Sequence, residues 1–239
     1  MSKTKAYTQD IPEKREPEQR ERMTLRQIFL DVDGPVVTFL TKVGHLILLG
    51  VVWLLTSLPV VTMGTASIAL YHAVVKSVRH ERGYPIREYF KAFRQHLKKG
   101  IIASVILLLW AAGLVVLNWK AVHVEQSLKT LPAKALVIVV ILTLSVVTYL
   151  FPIMSRFRVS VGQAFTMAFI ISGQHFIVTL IHIAAIGGLV YLVIYILPLL
   201  TLLFLPAFWA FLSSLLMERV LKDYMPEPTE ETEDMWYYE

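Results

Sequence analysis

The sequence predicts an all-α fold: a polytopic membrane helix bundle of about six transmembrane helices with cytoplasmic amphipathic helices. The first reason is composition, because 56% of the 239 residues are hydrophobic and the mean hydropathy is +0.59. A soluble domain of this size cannot bury that much apolar surface. The second reason is that several runs exceed the roughly 18 apolar residues that cross a bilayer. The third is that the basic residues cluster between those runs.

Six segments are apolar enough to be assigned as membrane spans. Residues 1–22 are predicted to be a disordered charged tail, residues 23–220 the membrane domain, and residues 221–239 an acidic tail. The main alternative is four full spans with two re-entrant or interfacial helices, and it concerns the segments 59–78 and 159–173. The predicted spans are 36–57, 59–78, 101–119, 135–154, 175–196 and 199–219.

The distribution of positive charge predicts the orientation in the membrane. The first 35 residues contain seven Lys and Arg, and residues 76–99 contain eight. Cytoplasmic segments carry such an excess, so both should lie on the same side, which requires an even number of spans between them. Residues 36–57 and 59–78 are therefore expected to form a hairpin whose outer turn is Ser57-Leu58-Pro59. Both termini are then predicted to be cytoplasmic.

Small and polar residues surround the predicted hairpin turn. Because small residues let helices approach closely in lipid, we expect these positions to form the turn and to pack the helices. The alternative is a binding site lined by backbone groups that a proline leaves without helical partners. The residues concerned are Ser57, Pro59, Thr62, Gly64, Thr65 and Ser67.

Residues 85–100 show the clearest amphipathic pattern in the chain. Pro85 suits the first position of a helix, and Gly100 suits its end. Two stripes at helical spacing, one apolar and one basic, predict a cytoplasmic helix that lies in the membrane plane. Such a helix can anchor in lipid, dock a partner, or bind a phosphate or lipid headgroup. The apolar stripe is Ile86, Tyr89, Phe90, Phe93 and Leu97, and the basic stripe is Arg87, Lys91, Arg94 and Lys98.

The predicted spans lack the residues that common chemistries require. No acidic residue lies between Glu125 and Glu218, and we expect none inside a span, which disfavours transport coupled through a buried carboxylate. His175 and His182 share a helix face but have no further ligands at metal-binding spacing. The sequence has no cysteine and no protease, esterase or nucleotide-binding motif. We therefore expect no enzyme activity, no catalytic residue, no cofactor and no metal.

The first half of the membrane domain carries motifs that resemble one family. A Gly-Pro pair at 34–35 is followed by "LLTSLPVVTMGTASIALYHAV" and then by "RGYPIREYFKAFRQHLKKG". In this order, the motifs resemble the YesL family of bacterial membrane proteins, whose domain has no assigned function. The resemblance implies a multi-pass protein of the bacterial plasma membrane. Because such proteins are often encoded beside carbohydrate ABC importers and glycan-degrading enzymes, it also implies a part in sugar uptake.

The resemblance and the basic stripe together favour a non-enzymatic accessory subunit of a carbohydrate ABC importer. Its expected partners are the lipid bilayer and the permease or ATPase subunits. We do not assign the chain as the permease itself, because the Glu-Ala-Ala and Gly spacing of a permease coupling loop is not matched. The alternatives are a stand-alone transporter or channel for a small neutral solute, and a membrane scaffold or regulator. No nucleic acid is expected, because a basic loop at a membrane surface meets lipid headgroups instead.

Overall fold

The computed structural model describes residues 35–122, 130–195 and 198–225, which form helices and contain no β-strand. The all-helical class predicted from the sequence is confirmed. The predicted disordered tail and the acidic tail beyond Met225 lie outside the described residues. The helices are α1 (Pro35–Ser57), α2 (Met63–Ala73), α3 (Pro85–Val122), α4 (Thr130–Arg156), α5 (Val161–Gln174), α6 (Phe176–Tyr195) and α7 (Pro198–Lys222), with a 3-10 turn (Val60–Thr62) before α2 and π-helical turns (Val74–Arg79) after it.

The helix α2 contributes to both hydrophobic clusters of the structure, as do α3 and α7. The chain divides into two units between Leu40 and Thr41, and every contact described below lies within the second unit. There, one face of α2, including Ile68 and Tyr71, packs with α4, α5 and α7. Its other face, including Leu70, packs with α1, α3 and α7. The helix α2 is therefore surrounded by its neighbours.

The helices α1 and α2 form an antiparallel hairpin. In the turn, the Thr62 hydroxyl donates to the carbonyls of Thr56 and Pro59 at 2.6 and 2.7 Å. At the other end of the hairpin, the Lys42 ammonium lies 2.7 Å from the carboxylate of Glu81. Because Lys42 lies in the second turn of α1 and Glu81 follows α2, the chain returns to the side from which α1 begins.

Three helical segments are long and apolar enough to cross a membrane: Val36–Ser57, Pro85–Trp119 and Ala135–Arg156. A fourth candidate is the pair α5 and α6, which meets at a bend of 100° and is either a broken span or a re-entrant loop. This arrangement is that of a membrane protein. The described residues hold three or four candidate spans, so the predicted count of six is not confirmed.

The predicted second span, 59–78, is where the structure departs most from the six-span expectation. The α-helical part of this segment, α2, has 11 residues and is flanked by the 3-10 turn and by six residues of π-helical turns, so the segment is not one regular α-helix of spanning length. Eight of the 11 residues in α2 are buried, which is typical of an interior helix rather than of a lipid-facing one. The segment 59–78 is therefore not among the candidate spans, because it packs inside the bundle as it returns from the turn toward the start of α1.

The helix α3 is continuous over 38 residues, so the predicted helix end at Gly100 is wrong. Gly100 is required for helix packing and not for helix termination. The Gly64 N–H donates to the Ser104 hydroxyl at 2.7 Å, and that hydroxyl donates to the Gly100 carbonyl at 3.0 Å. A Cβ atom on Gly100 would lie 2.6 Å from the Cα atom of Thr65. Gly100 is thus the point at which α2 and α3 approach each other, as small residues permit in membrane bundles.

The bend between α5 and α6 falls at His175, two residues after the predicted helix end at Gly173. The Thr179 hydroxyl donates to the Ser172 carbonyl across the bend at 2.9 Å. The same hydroxyl lies 3.0 Å from the Tyr149 hydroxyl of α4. These contacts supply partners for groups at the break in the helix and hold the bend against α4.

We predict that Gly100→Ala destabilises the protein, because the added methyl group overlaps the Thr65 backbone. The expected loss is roughly 1–3 kcal/mol, as for overpacked cores. Thermal unfolding in detergent, followed by tryptophan fluorescence, measures it. The control is Gly113→Ala in the same helix, where a Cβ atom meets nothing within 4 Å. An unchanged melting temperature for Gly100→Ala would contradict the close approach.

Candidate functional site

The four residues of the basic stripe are exposed along the first half of α3. The opposite side of this half carries Tyr89, Ala92 and Gly100, which are buried against the neighbouring helices. The helix is continuous with the predicted third span, so it is not the separate in-plane helix that the sequence predicts. We call this exposed surface the basic face; it consists of Arg87, Lys91, Arg94 and Lys98.

The predicted apolar stripe divides into a packed part and an exposed part. Tyr89 is completely buried and Phe93 packs against the same hydrophobic cluster. Ile86, Phe90 and Leu97 are exposed, with fractional exposures of 39%, 42% and 37%. Ile86 and Phe90 are four positions apart and Leu97 follows Phe90 by seven, so the three residues share one side of the helix, between its packed side and the basic face. An apolar strip thus borders the basic face, as in helices that lie against lipid or a partner.

A partly buried ion pair fixes the first turn of α3. The Lys76 ammonium donates to Glu88 at 2.8 Å, and the His72 ring lies 3.9 Å from the same carboxylate oxygen. The turn before the helix contains Gly83, whose φ of +85° is readily adopted only by glycine. A Cβ atom on Gly83 would lie 3.2 Å from Glu88. The basic face is therefore carried by a helix whose first turn is anchored.

His72 and Glu81, which lie outside the candidate spans, have shifted pKa values. Burial lowers the pKa of His72 to about 4, and the Lys76 ammonium adds to this effect, so the imidazole is neutral at neutral pH. The hydrogen bond from Lys42, and then its charge, lower the pKa of Glu81. Glu81 is exposed, so this second ion pair marks the geometry of the hairpin and contributes little stability.

A second buried charge cluster joins α2, α4 and α7. Nε of Arg156 donates to Glu218 at 2.9 Å, Nη2 of the same guanidinium contacts the second carboxylate oxygen, and both side chains are 2% exposed. The Tyr71 hydroxyl donates to Glu218 at 2.9 Å, and burial raises the pKa of this phenol, so it acts as a neutral donor. The Arg79 guanidinium donates to the Ser214 carbonyl at 2.6 Å and links the π-helical turns to α7.

This cluster corrects the expectation that no acid lies inside a span. Glu218 is the second-last residue of the predicted span 199–219, and it is buried. The sequence does indicate a partner for Glu218, because an acidic residue in an apolar helix requires a basic or polar partner. Arg156, which follows the predicted span 135–154, supplies that partner. The sequence did not predict this pair, because Glu218 lies at the edge of the apolar run.

The structure separates the six small and polar residues of the hairpin into two groups. Gly64 and Thr65 are buried against α3, and the Thr65 hydroxyl donates to the Leu97 carbonyl at 3.3 Å. Ser67 accepts a hydrogen bond from the indole of Trp53 on α1 at 3.3 Å. Ser57 ends α1, while Pro59 and Thr62 form the turn.

The two histidines of the bend have separate surroundings. Nδ1 of His182 lies 3.0 Å from the Val178 carbonyl, and its ring meets Trp209 edge to face. His175 meets the ring of Tyr224 edge to face. Within the part of the chain that the structure describes, no three His, Cys, Asp or Glu side chains form a group that could hold a metal ion.

We predict that Glu218→Gln costs roughly 3–5 kcal/mol of stability, because it leaves the Arg156 guanidinium buried without its counter-charge. Tyr71→Phe removes one hydrogen bond and should cost about 1 kcal/mol. Thermal unfolding in detergent measures the stability of both variants.

In the double variant Arg156→Gln/Glu218→Gln, the loss of stability should be smaller than the sum of the losses in the two single variants, because neither charge is then left unpaired. Additive losses would show that the two residues are not coupled.

Comparison with known proteins identifies one similar family. Residues 46–119 match the model of a family described as "Protein of unknown function, DUF624". The match runs from within α1 through α2 to the candidate span of α3, so it contains the hairpin, the Gly64–Gly100 contact and the basic face. No curated protein and no solved structure matches the chain. Over this region, the chain is similar to a family of unknown function, in agreement with its resemblance to YesL-like membrane proteins.

Proposed function

We propose that this chain is a non-enzymatic membrane protein that serves as an accessory subunit of a carbohydrate ABC importer in the bacterial plasma membrane. The class of importer rests on the YesL-like motifs, which lie in the region similar to the DUF624 family. The subunit role rests on the surface of α3. Lipid and the permease or ATPase subunits are its proposed partners.

The basic face is the observation that carries the proposal. Its four cations are exposed together on one side of a helix, while the ion pair between Lys76 and Glu88 anchors the first turn. A surface held in this way loses little conformational freedom on binding, because its backbone is ordered beforehand. The bordering apolar strip of Ile86, Phe90 and Leu97 adds contact area. An acidic surface beside an apolar groove on a permease or ATPase subunit would complement it.

The proposed orientation places the basic face in the cytoplasm. The contact between Lys42 and Glu81 supports this, because it brings the start of α1 and the beginning of the basic segment to the same side. The excess of Lys and Arg in 76–99 favours the cytoplasmic side. Both termini are then cytoplasmic if the chain after the basic segment 76–99 crosses the membrane an even number of times. The six-span arrangement requires α2, α6 and α7 each to cross, and of these only α6 belongs to a candidate span, the bent pair with α5.

One further candidate function rests on a cavity within the helix bundle. A cavity of about 210 Å³ lies between α1, α2, α4, α6 and α7. Trp53, Trp209 and Ser67 line it, together with Pro152 and Pro206, which interrupt their helices. Prolines inside helices leave carbonyls without partners, and aromatic faces with hydroxyls suit a neutral polyhydroxyl solute. This cavity supports a stand-alone transporter for a small neutral solute as the second candidate.

We expect that charge reversal of the basic face weakens binding to the importer. The variant carries Arg87→Glu, Lys91→Glu, Arg94→Glu and Lys98→Glu. Recovery of permease and ATPase subunits with the tagged chain in mild detergent, quantified by mass spectrometry, should fall roughly tenfold or more, because opposite charges at a docking site become like charges.

A charge-retaining variant is the matched control for this experiment. It exchanges the same positions as Arg87→Lys, Lys91→Arg, Arg94→Lys and Lys98→Arg, and it should recover the importer subunits as the unaltered chain does. Unchanged recovery after charge reversal would remove the basic face from the interface. Absence of importer subunits from the unaltered sample would refute the subunit role.

The subunit proposal also predicts no solute flux through this chain alone. Liposomes that contain only the purified chain should take up labelled glucose no faster than protein-free liposomes. The comparison variant is Ser67→Leu, which fills part of the cavity. Flux that exceeds the protein-free rate and disappears in Ser67→Leu would favour the stand-alone transporter instead.

A further inference from the structure

A second cavity, of about 400 Å³, lies where α2, α3 and the end of α4 meet. It opens on a side of α3 different from the basic face, because its α3 residues are Gln95, His96 and Lys99. None of them belongs to the basic stripe. We call this space the cationic cavity; its lining includes His72, Lys99, Ser155, Arg156 and Arg158.

Three permanent cations line the cationic cavity at two depths. Arg156 is deeply placed, since its side chain is 2% exposed, and Glu218 holds its guanidinium in position from α7. Lys99 and Arg158 are exposed and lie at the mouth. The Lys99 ammonium donates to the Val159 carbonyl at 2.7 Å, which holds it toward the segment after α4. Among the described residues, no carboxylate lines the cavity; Glu218 offsets the charge of Arg156 from α7, so the excess positive charge of the lining comes from Lys99 and Arg158 at the mouth.

Neutral hydrogen-bonding groups complete the lining. The Ser155 hydroxyl oxygen is buried and has no hydrogen-bond partner among the described residues. His72 is neutral at neutral pH, because burial lowers its pKa to about 4, so it contributes no repulsion. A buried hydroxyl that lacks a partner costs free energy, and a ligand oxygen would satisfy it. The combination of arginine, lysine and hydroxyl groups suits the oxygens of a phosphate.

We propose that the cationic cavity binds the phosphate group of a phosphorylated compound, with Arg156 at its base and Lys99 and Arg158 at its mouth. The deep guanidinium is held by Glu218 before the ligand arrives, which lowers the cost of ordering it. The volume of about 400 Å³ exceeds what a phosphate alone occupies, so the rest of the molecule has room. Two sources share this chemistry: a soluble phosphate ester and the headgroup of an anionic phospholipid. This proposal does not rest on the importer association proposed above.

Binding measurements on the full-length chain test the cavity. The purified protein in a neutral detergent is titrated with glucose 6-phosphate, and in parallel it is placed in phosphatidylcholine nanodiscs with and without phosphatidylglycerol. We expect the melting temperature to rise with one of these phosphate-bearing probes and not with glucose or with phosphatidylcholine alone. A rise with glucose 6-phosphate identifies a soluble ester, and a rise only with phosphatidylglycerol identifies a lipid headgroup.

Variants at the mouth locate the binding. In Arg158→Gln and in Lys99→Gln, the dissociation constant for the effective probe should rise roughly tenfold, as expected when one charged hydrogen bond is lost. The matched control is Arg219→Gln, which removes an exposed cation of α7 that belongs neither to the cavity nor to the basic face, and this variant should bind the probe normally. Melting without probe checks that each variant folds. Failure of both probes to stabilise the unaltered chain, or equal weakening by Arg219→Gln, would overturn the proposal.

Discussion

The close approach of α2 and α3 is the constraint on which the rest of the structure depends. Lipid offers no hydrophobic force between helices, so they associate through small residues and interhelical hydrogen bonds. Gly64 and Gly100 remove the side chains that would separate the two helices, and Ser104 links their backbones. Since α2 belongs to both hydrophobic clusters, its position against α3 also sets where α1, α4, α5 and α7 can pack.

A buried charge cluster joins further helices to the pair α2 and α3 that the glycine contact holds together. The pair of Arg156 and Glu218 joins α4 to α7, and Tyr71 extends the link to α2. Taking two charges out of water costs free energy, so such a pair adds little net stability. It instead favours the one helix arrangement in which the two charges meet. Here the same guanidinium that orders the three helices also reaches the cationic cavity. Structural and binding roles therefore meet in one side chain.

Hydropathy and charge predicted much of this molecule, and their failures have a physical origin. The all-helical class, the membrane character and the exposed cations of α3 follow from composition and spacing. The position of α2 does not, because a helix buried in protein is as apolar as one in lipid, and only its neighbours distinguish the two. Gly100 was misread because a glycine that ends a helix and one that packs it have the same sequence signal. Glu218 was overlooked because a long-range partner leaves no local pattern.

The continuity of α3 connects its two candidate binding surfaces. The basic face and the α3 residues of the cationic cavity lie on the same helix, on different sides and within four turns of each other. A phosphate in the cavity would contact both α3 and the end of α4, and it would therefore stabilise the contact between these two helices. A partner that binds the basic face only in that arrangement must then bind more tightly when the cavity is filled, and by linkage the partner must tighten phosphate binding equally.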